Sequence, residues 1–177
     1  MSQLPPRHDA AVVTPGPWWT QLEPSLRVPR ISGHPAAIWT TGEGPSLLLV
    51  PPEGGSHDVW ATISQPLRAS CTVHALDRVT TRSFADDVDL VATAVGAVGA
   101  CFLAGYADDA AALREAARRT PVVRRALVLS ASSKTRADEQ LDSPFMVRVA
   151  VSTDDPAALT PADAARMIEN LPPEGAA

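Results

Sequence analysis

The sequence predicts an α/β fold, a three-layer sandwich built on a mostly parallel sheet. Short apolar runs such as SLLLV (46–50), ALVLSA (126–131) and FMVRVAV (145–151) alternate with helix-like stretches. That alternation implies right-handed crossovers and a parallel sheet covered on both faces. The first two runs are apolar throughout, as strands buried on two faces require. The third observation is the block Ala100–Ala131. It reads as a strand at Ala100–Ala104, a stop at Gly105, a helix and a second strand. Asp108 and Asp109 open that helix, Arg118 and Arg119 end it, and both placements favour its macrodipole. Pro121 then stops it.

At 177 residues the chain has the length of one domain. Its apolar content of 45% and charged content of 20% are those of an ordinary globular protein. The net charge is −5 and there is no basic block, which argues against a nucleic-acid partner. No apolar run approaches a membrane span. Met1–Ala10 has no hydrophobic signal core, so the cytoplasm is the default expectation. Cys71 and Cys101 fall in strands and are expected as buried, reduced thiols. No cysteine or histidine spacing suggests a metal, and no cofactor is expected.

Two regions are expected. Residues 1–30 form a proline-rich N-terminal arm, because prolines at 5, 6, 15, 17, 24 and 29 oppose helices and central strands. Trp18 and Trp19 should pack it against the body or a partner. Residues 31–177 form the α/β domain. Its elements begin with a strand at Ala36–Thr40, a turn at Thr41–Pro45, the strand Ser46–Val50 and a loop at 51–55. Ser56 caps a helix over His57–Ser64 that Pro66 should break, with Val59, Ile63 and Leu67 on one face. His57 is expected on the exposed side of that helix. Cys71–Asp77 is a strand and Arg78–Arg82 a loop. Ser83, with Asp86, caps a helix to about Val98. Ser132–Ser143 is a polar linker before the strand at 145–151, and Pro161 starts a last helix. Ligands in such sheets sit at the carboxyl ends of the strands.

GYADD (105–109) resembles the G-x-S-x-G elbow of the α/β-hydrolase family, in which a strand runs through a sharp turn into a helix. Gly105 is kept, Ala107 stands at the serine position and Asp109 at the last glycine. GEGPSLLLVPPEGGSHDVW looks like the family's glycine loop with its flanking strand and helix. TVHALDRVTTRS resembles the next strand and loop, keeping Asp77 and Ser83, with Val79 and Thr81 at the loop glycines. FMVRVAVSTDDP resembles the strand that delivers the acid, and Asp155 matches it. The likeness covers roughly residues 33–172 and implies a small or truncated α/β-hydrolase-like sandwich without a lid domain.

The same likeness implies lost chemistry. Pro51 and Pro52 replace the family's His-Gly, and proline removes a backbone donor. The oxyanion donors would be the N–H groups of Glu53 and Asp108. Carboxylates there oppose developing negative charge by several kcal/mol when ionised and desolvated. His8, His34, His57 and His74 all precede the elbow, so no histidine matches the family's base. The nucleophilic serine and catalytic histidine are therefore expected to be missing.

Three functions remain open on the sequence. The first is a non-hydrolytic protein that binds a small, largely apolar, carbonyl-bearing ligand. It would perform acid–base chemistry such as cyclisation, elimination or isomerisation, and natural-product biosynthesis fits by fold-level analogy. Asp108, Tyr106 and Asp155 are its candidate catalytic residues, and Pro52, Glu53, Ala107 and Ser132 its candidate ligand contacts. Asp108 and Asp109 also serve as plain helix-start acids, and Asp155 as a turn residue before Pro156. The second is a catalytically inactive binding or scaffolding pseudoenzyme. The third is an esterase or thioesterase with relocated residues, for which Cys101 or Ser132 would need a base. A homodimer through a sheet edge or the N-terminal arm is the expected assembly.

Overall fold

A computed structural model of the chain describes residues 25–27, 30–31, 34–78, 81, 83–131 and 145–172, with side chains from residue 36 onward. The strands are β1 (Ser25–Arg27), β2 (Arg30–Ile31), β3 (His34–Pro35), β4 (Ile38–Thr41) and β5 (Ser46–Leu49). They continue with β6 (Thr72–Leu76), β7 (Phe102–Tyr106), β8 (Arg125–Ser130) and β9 (Met146–Ala150). The helices are α1 (Ala61–Leu67), α2 (Phe84–Val98), α3 (Ala110–Arg119) and α4 (Pro161–Glu169). Seven strands make one sheet in the order β1–β4–β6–β5–β7–β8–β9, and β2 and β3 pair as a separate ribbon. The five strands from β6 to β9 in that order are parallel, β4 pairs antiparallel with β6, and β1 pairs antiparallel with β4.

The continuous apolar runs are explained by two covered faces. Leu48, Val50, Leu103 and Val128 point to α2 and α3. Leu47, Leu49, Ala104 and Leu127 point to α1 and α4. Successive strand residues alternate faces, so a strand with helices on both sides needs apolar residues at every position. Each fully buried leucine contributes about 1.5–3 kcal/mol.

Local signals set the helix ends. Ser83 Oγ accepts from Asp86 N–H at 3.2 Å, and Gly99, at φ 65°, closes α2 in the left-handed conformation that glycine adopts freely. Three expectations are corrected. Ser25–Arg27, inside the stretch expected to be irregular, pairs with β4. Pro66 does not break α1, which runs one residue further to Leu67: the proline gives up only its own N–H bond, and the turn still closes through Arg68 N–H to Ser64 O at 3.0 Å. His57 is not on an exposed face. It opens a 3-10 turn (His57–Trp60) and is buried under Trp39, with ring centroids 4.4 Å apart.

Asp163 holds the end of the chain after β9. Its buried carboxylate accepts from Ser152 N–H and Oγ–H, from Thr160 N–H and Oγ–H, and from Arg166. Burial alone would raise its pKa, but these donors hold it at about 2, against an ordinary 3.8. A depressed carboxylate stabilises the fold fully above its unfolded pKa, and that contribution fades as pH falls toward 2. The shift corresponds to about 2 kcal/mol. Asp163→Asn should therefore lower stability by about 2 kcal/mol at pH 7 in urea melts. The gap between variant and wild type should shrink as the melts are repeated from pH 4 to pH 2.

Candidate active site

The strand order creates a crevice. After β5 the chain turns to one side, to β6, and after β7 it turns to the other, to β8. The loops at the carboxyl ends of β5 and β7 therefore diverge, which is where α/β sheets form binding sites. The first loop carries Pro51, Pro52 and Glu53. The second is the 3-10 turn Ala107–Asp109 that leads into α3. Gly105 brings the helix down onto the strand: a Cβ there would lie 2.9 Å from Leu113 Cδ1 and 3.3 Å from Val50 O. A larger residue there would have to push the Leu113 side chain aside.

A cleft of ≈ 470 Å³ opens between the two loops, lined by Pro52, Glu53, Tyr106, Ala107, Asp108, Asp109 and Asp154. Glu53, Asp108 and Asp154 are exposed at its mouth and Asp109 is buried. No serine, threonine, cysteine or histidine lines it among the described residues.

Below the turn lies a buried ion triad. Arg78, 4% exposed, donates through Nε and Nη2 to the two carboxylate oxygens of Asp87 and through Nη1 to Asp109 Oδ1 at 2.6 Å. Nη1 also donates to Pro51 O at 2.9 Å, and the Arg78 backbone N–H donates to Gly55 O. One guanidinium thus ties the loop after β5 to the starts of α2 and α3. Burial raises the Asp109 pKa and Arg78 opposes it, while Asp87 and Asp108 add to the rise; the net direction is upward. Asp109 Oδ2 is buried without a partner.

Tyr106 packs against Trp60, ring centroids 5.8 Å apart, and is 5% exposed. Its Oη is buried without a hydrogen-bond partner. Burial, and then Asp155, Asp163 and Asp154, push the phenol upward, so it stays a neutral donor at physiological pH. A second polar cluster lies behind the loop after β5. His57 N–H donates to Asp77 Oδ1 at 2.7 Å, His57 Nδ1 meets the same oxygen, and Trp39 Nε1–H reaches Oδ2 at 3.5 Å. Burial would raise the Asp77 carboxyl, but these contacts hold it below its ordinary value.

Of the expected residues, Tyr106, Asp108, Pro52, Glu53 and Ala107 come together on the cleft. Asp155 is absent from the lining. Its carboxylate accepts from Ala157 N–H at 3.0 Å and caps its own turn, while Asp154 lines the cleft. Asp154 Oδ1 also accepts from Ala131 N–H, tying the end of β8 to the loop after β9. Ser132 and the linker 132–143 lie outside the described residues. Sequence reading missed Arg78 and Asp87, since a single arginine after a strand looks like any loop cation. The partial match at Asp77–Ser83 was the one pointer to that segment.

Arg78→Ala should leave Asp87 and Asp109 buried without their cation and cost about 3–5 kcal/mol in a denaturant melt. Combining it with Asp87→Asn and Asp109→Asn should recover part of that loss, which distinguishes uncompensated charge from lost packing.

No family model and no curated protein matches the sequence. Solved structures match the fold. A bacterial membrane phospholipase A, described as a virulence factor, superposes with a TM-score of 0.53 at 22% identity, over 60% of this chain and 39% of that one. The carboxylesterase CesB from Bacillus subtilis gives 0.53 at 19% identity, over 63% and 44%. A loop variant of the haloalkane dehalogenase DbeA from Bradyrhizobium elkanii gives 0.51 at 21%, over 60% and 40%. The chain spans about two fifths of the length of these structures. The architecture is that of the α/β-hydrolase fold.

Proposed function

We propose that the chain is a non-covalent, non-hydrolytic member of this fold. It binds a small carbonyl-bearing molecule in the switch-point cleft and acts on it by proton transfer. The observation that carries this reading is the lining itself. Ala107 stands where a nucleophile would be, and carboxylates surround it with no hydroxymethyl, thiol or imidazole among the described residues.

The electrostatics support the same reading. Acyl transfer needs positive dipoles aimed at a developing oxyanion. Glu53, Asp108, Asp109 and Asp154 oppose such charge. They favour steps in which positive charge develops and a proton is then lost, as in cyclisation or elimination. Asp108, exposed on the rim, is the base in this proposal. Tyr106, neutral and unpartnered, is the donor that a ligand oxygen would satisfy. Oη has almost no accessible surface, so in this reading the Tyr106 side chain shifts to meet a ligand oxygen.

Wild-type protein should leave p-nitrophenyl butyrate and its thioester analogue at the buffer rate. Cyclohexanone, used as a carbonyl probe, should perturb the amide resonances of Tyr106–Asp109, and Ala107→Trp should abolish that response by filling the cleft. Ester turnover by the wild type, or cyclohexanone shifts that ignore Ala107→Trp, would overturn the reading.

A further inference from the structure

A second cleft, of ≈ 420 Å³, lies on the other flank of the Asp108–Asp109 turn. Its walls include Glu53, Asp87, Asp108, Asp109, Arg78 and Phe84. We propose that it is a site for a small organic cation, an alkylammonium group, on a ligand of otherwise modest size.

The first ground is the charge on the floor. Arg78 brings one positive charge to two buried carboxylates, Asp87 and Asp109. One negative charge remains uncompensated in a poorly hydrated place. Asp109, 9% exposed and lining the cleft, shows where it falls, since its Oδ2 has no donor. That unbalanced charge lies beneath the cleft, and a cation held above it offsets the charge without having to reach the enclosed oxygen. The upward direction of the Asp109 pKa agrees with this.

The rim supplies the second ground. Phe84 is 57% exposed, although it begins α2 beside this cleft. An aromatic face beside carboxylates is the arrangement that attracts an ammonium group and its alkyl chain together. Glu53 and Asp108 add exposed negative charge around the same opening. A bare metal ion fits less well: no group of three or more His, Cys, Asp or Glu side chains among the described residues is placed to hold one.

The site shares Glu53, Asp108 and Asp109 with the switch-point cleft, so it rests in part on that reading. Phe84 belongs to this cleft alone, and Ala107 and Tyr106 to the other, so the two can fail separately.

The experiment is a titration of the isotopically labelled 177-residue chain, followed by amide resonances. The probes are n-butylammonium chloride, 1-butanol, sodium chloride and calcium chloride at matched concentrations. Butylammonium should give saturable shifts at Phe84–Asp87 and Asp108–Ala112, with at least tenfold higher affinity than 1-butanol. Sodium chloride should give no saturable shift. Phe84→Ala, at an exposed position, should weaken butylammonium at least threefold with an unchanged melting curve. Asp109→Asn should weaken it about tenfold. Should that variant fold poorly, the exposed Asp108→Asn should still weaken it about threefold. Ala107→Trp should leave butylammonium binding intact while removing cyclohexanone binding. Equal affinity for 1-butanol, calcium binding tighter than butylammonium, or indifference to Phe84→Ala would each overturn the proposal.

Discussion

The guanidinium of Arg78 is the interaction on which the working end of the molecule depends. It sits 4% exposed at the carboxyl end of β6 and reaches Asp87 on α2, Asp109 before α3 and the Pro51 carbonyl. These three partners come from separate crossovers of the sheet. Hydrophobic packing holds the layers together, but it is non-directional and does not specify where the loops above the sheet must stand. A planar fork of donors does, because its hydrogen bonds have fixed directions. Burying it is expensive, and such groups are often no net gain in stability over apolar replacements. Its structural consequence is position: the loop after β5 and the turn after β7 are held at a set separation, and the cleft is the gap between them.

That constraint shapes the electrostatics of the site. Arg78 is consumed by its partners, so it does not neutralise the acids at the cleft mouth. Glu53, Asp108 and Asp154 face the opening, and Asp109 below keeps one oxygen unpaired. The result is an α/β framework whose crevice is bordered by carboxylates. The enclosed Tyr106 hydroxyl beside it is a neutral donor without an acceptor.

Much of the scaffold was legible in the residues. The apolar runs at 46–50 and 126–131 announced strands covered on both sides, and Ser83 with Asp86 announced the start of α2. Gly105 read as the stop of a strand, but β7 runs through it to Tyr106, and its missing Cβ lets Leu113 pack onto the strand, 2.9 Å from where that Cβ would lie. Tyr106, Ala107 and Asp108 line the cleft because it opens where β7 passes into the turn before α3. In the loop after β9, Asp154 and not Asp155 lines the cleft. Asp154 and Asp155 are adjacent in the same turn, and only the backbone path decides which faces the cleft and which caps Ala157 N–H.

By itself the sequence determined the layered α/β scaffold and the helix caps, since each follows from local periodicity or from the identity of one residue. The tertiary structure decided which charges meet. Arg78 and Asp109 are 31 residues apart, and His57 and Asp77 are 20 apart. No local pattern records pairings across crossovers of that length. A long-range ion pair depends on the direction in which two separate loops leave the sheet, and the folded backbone alone supplies that direction.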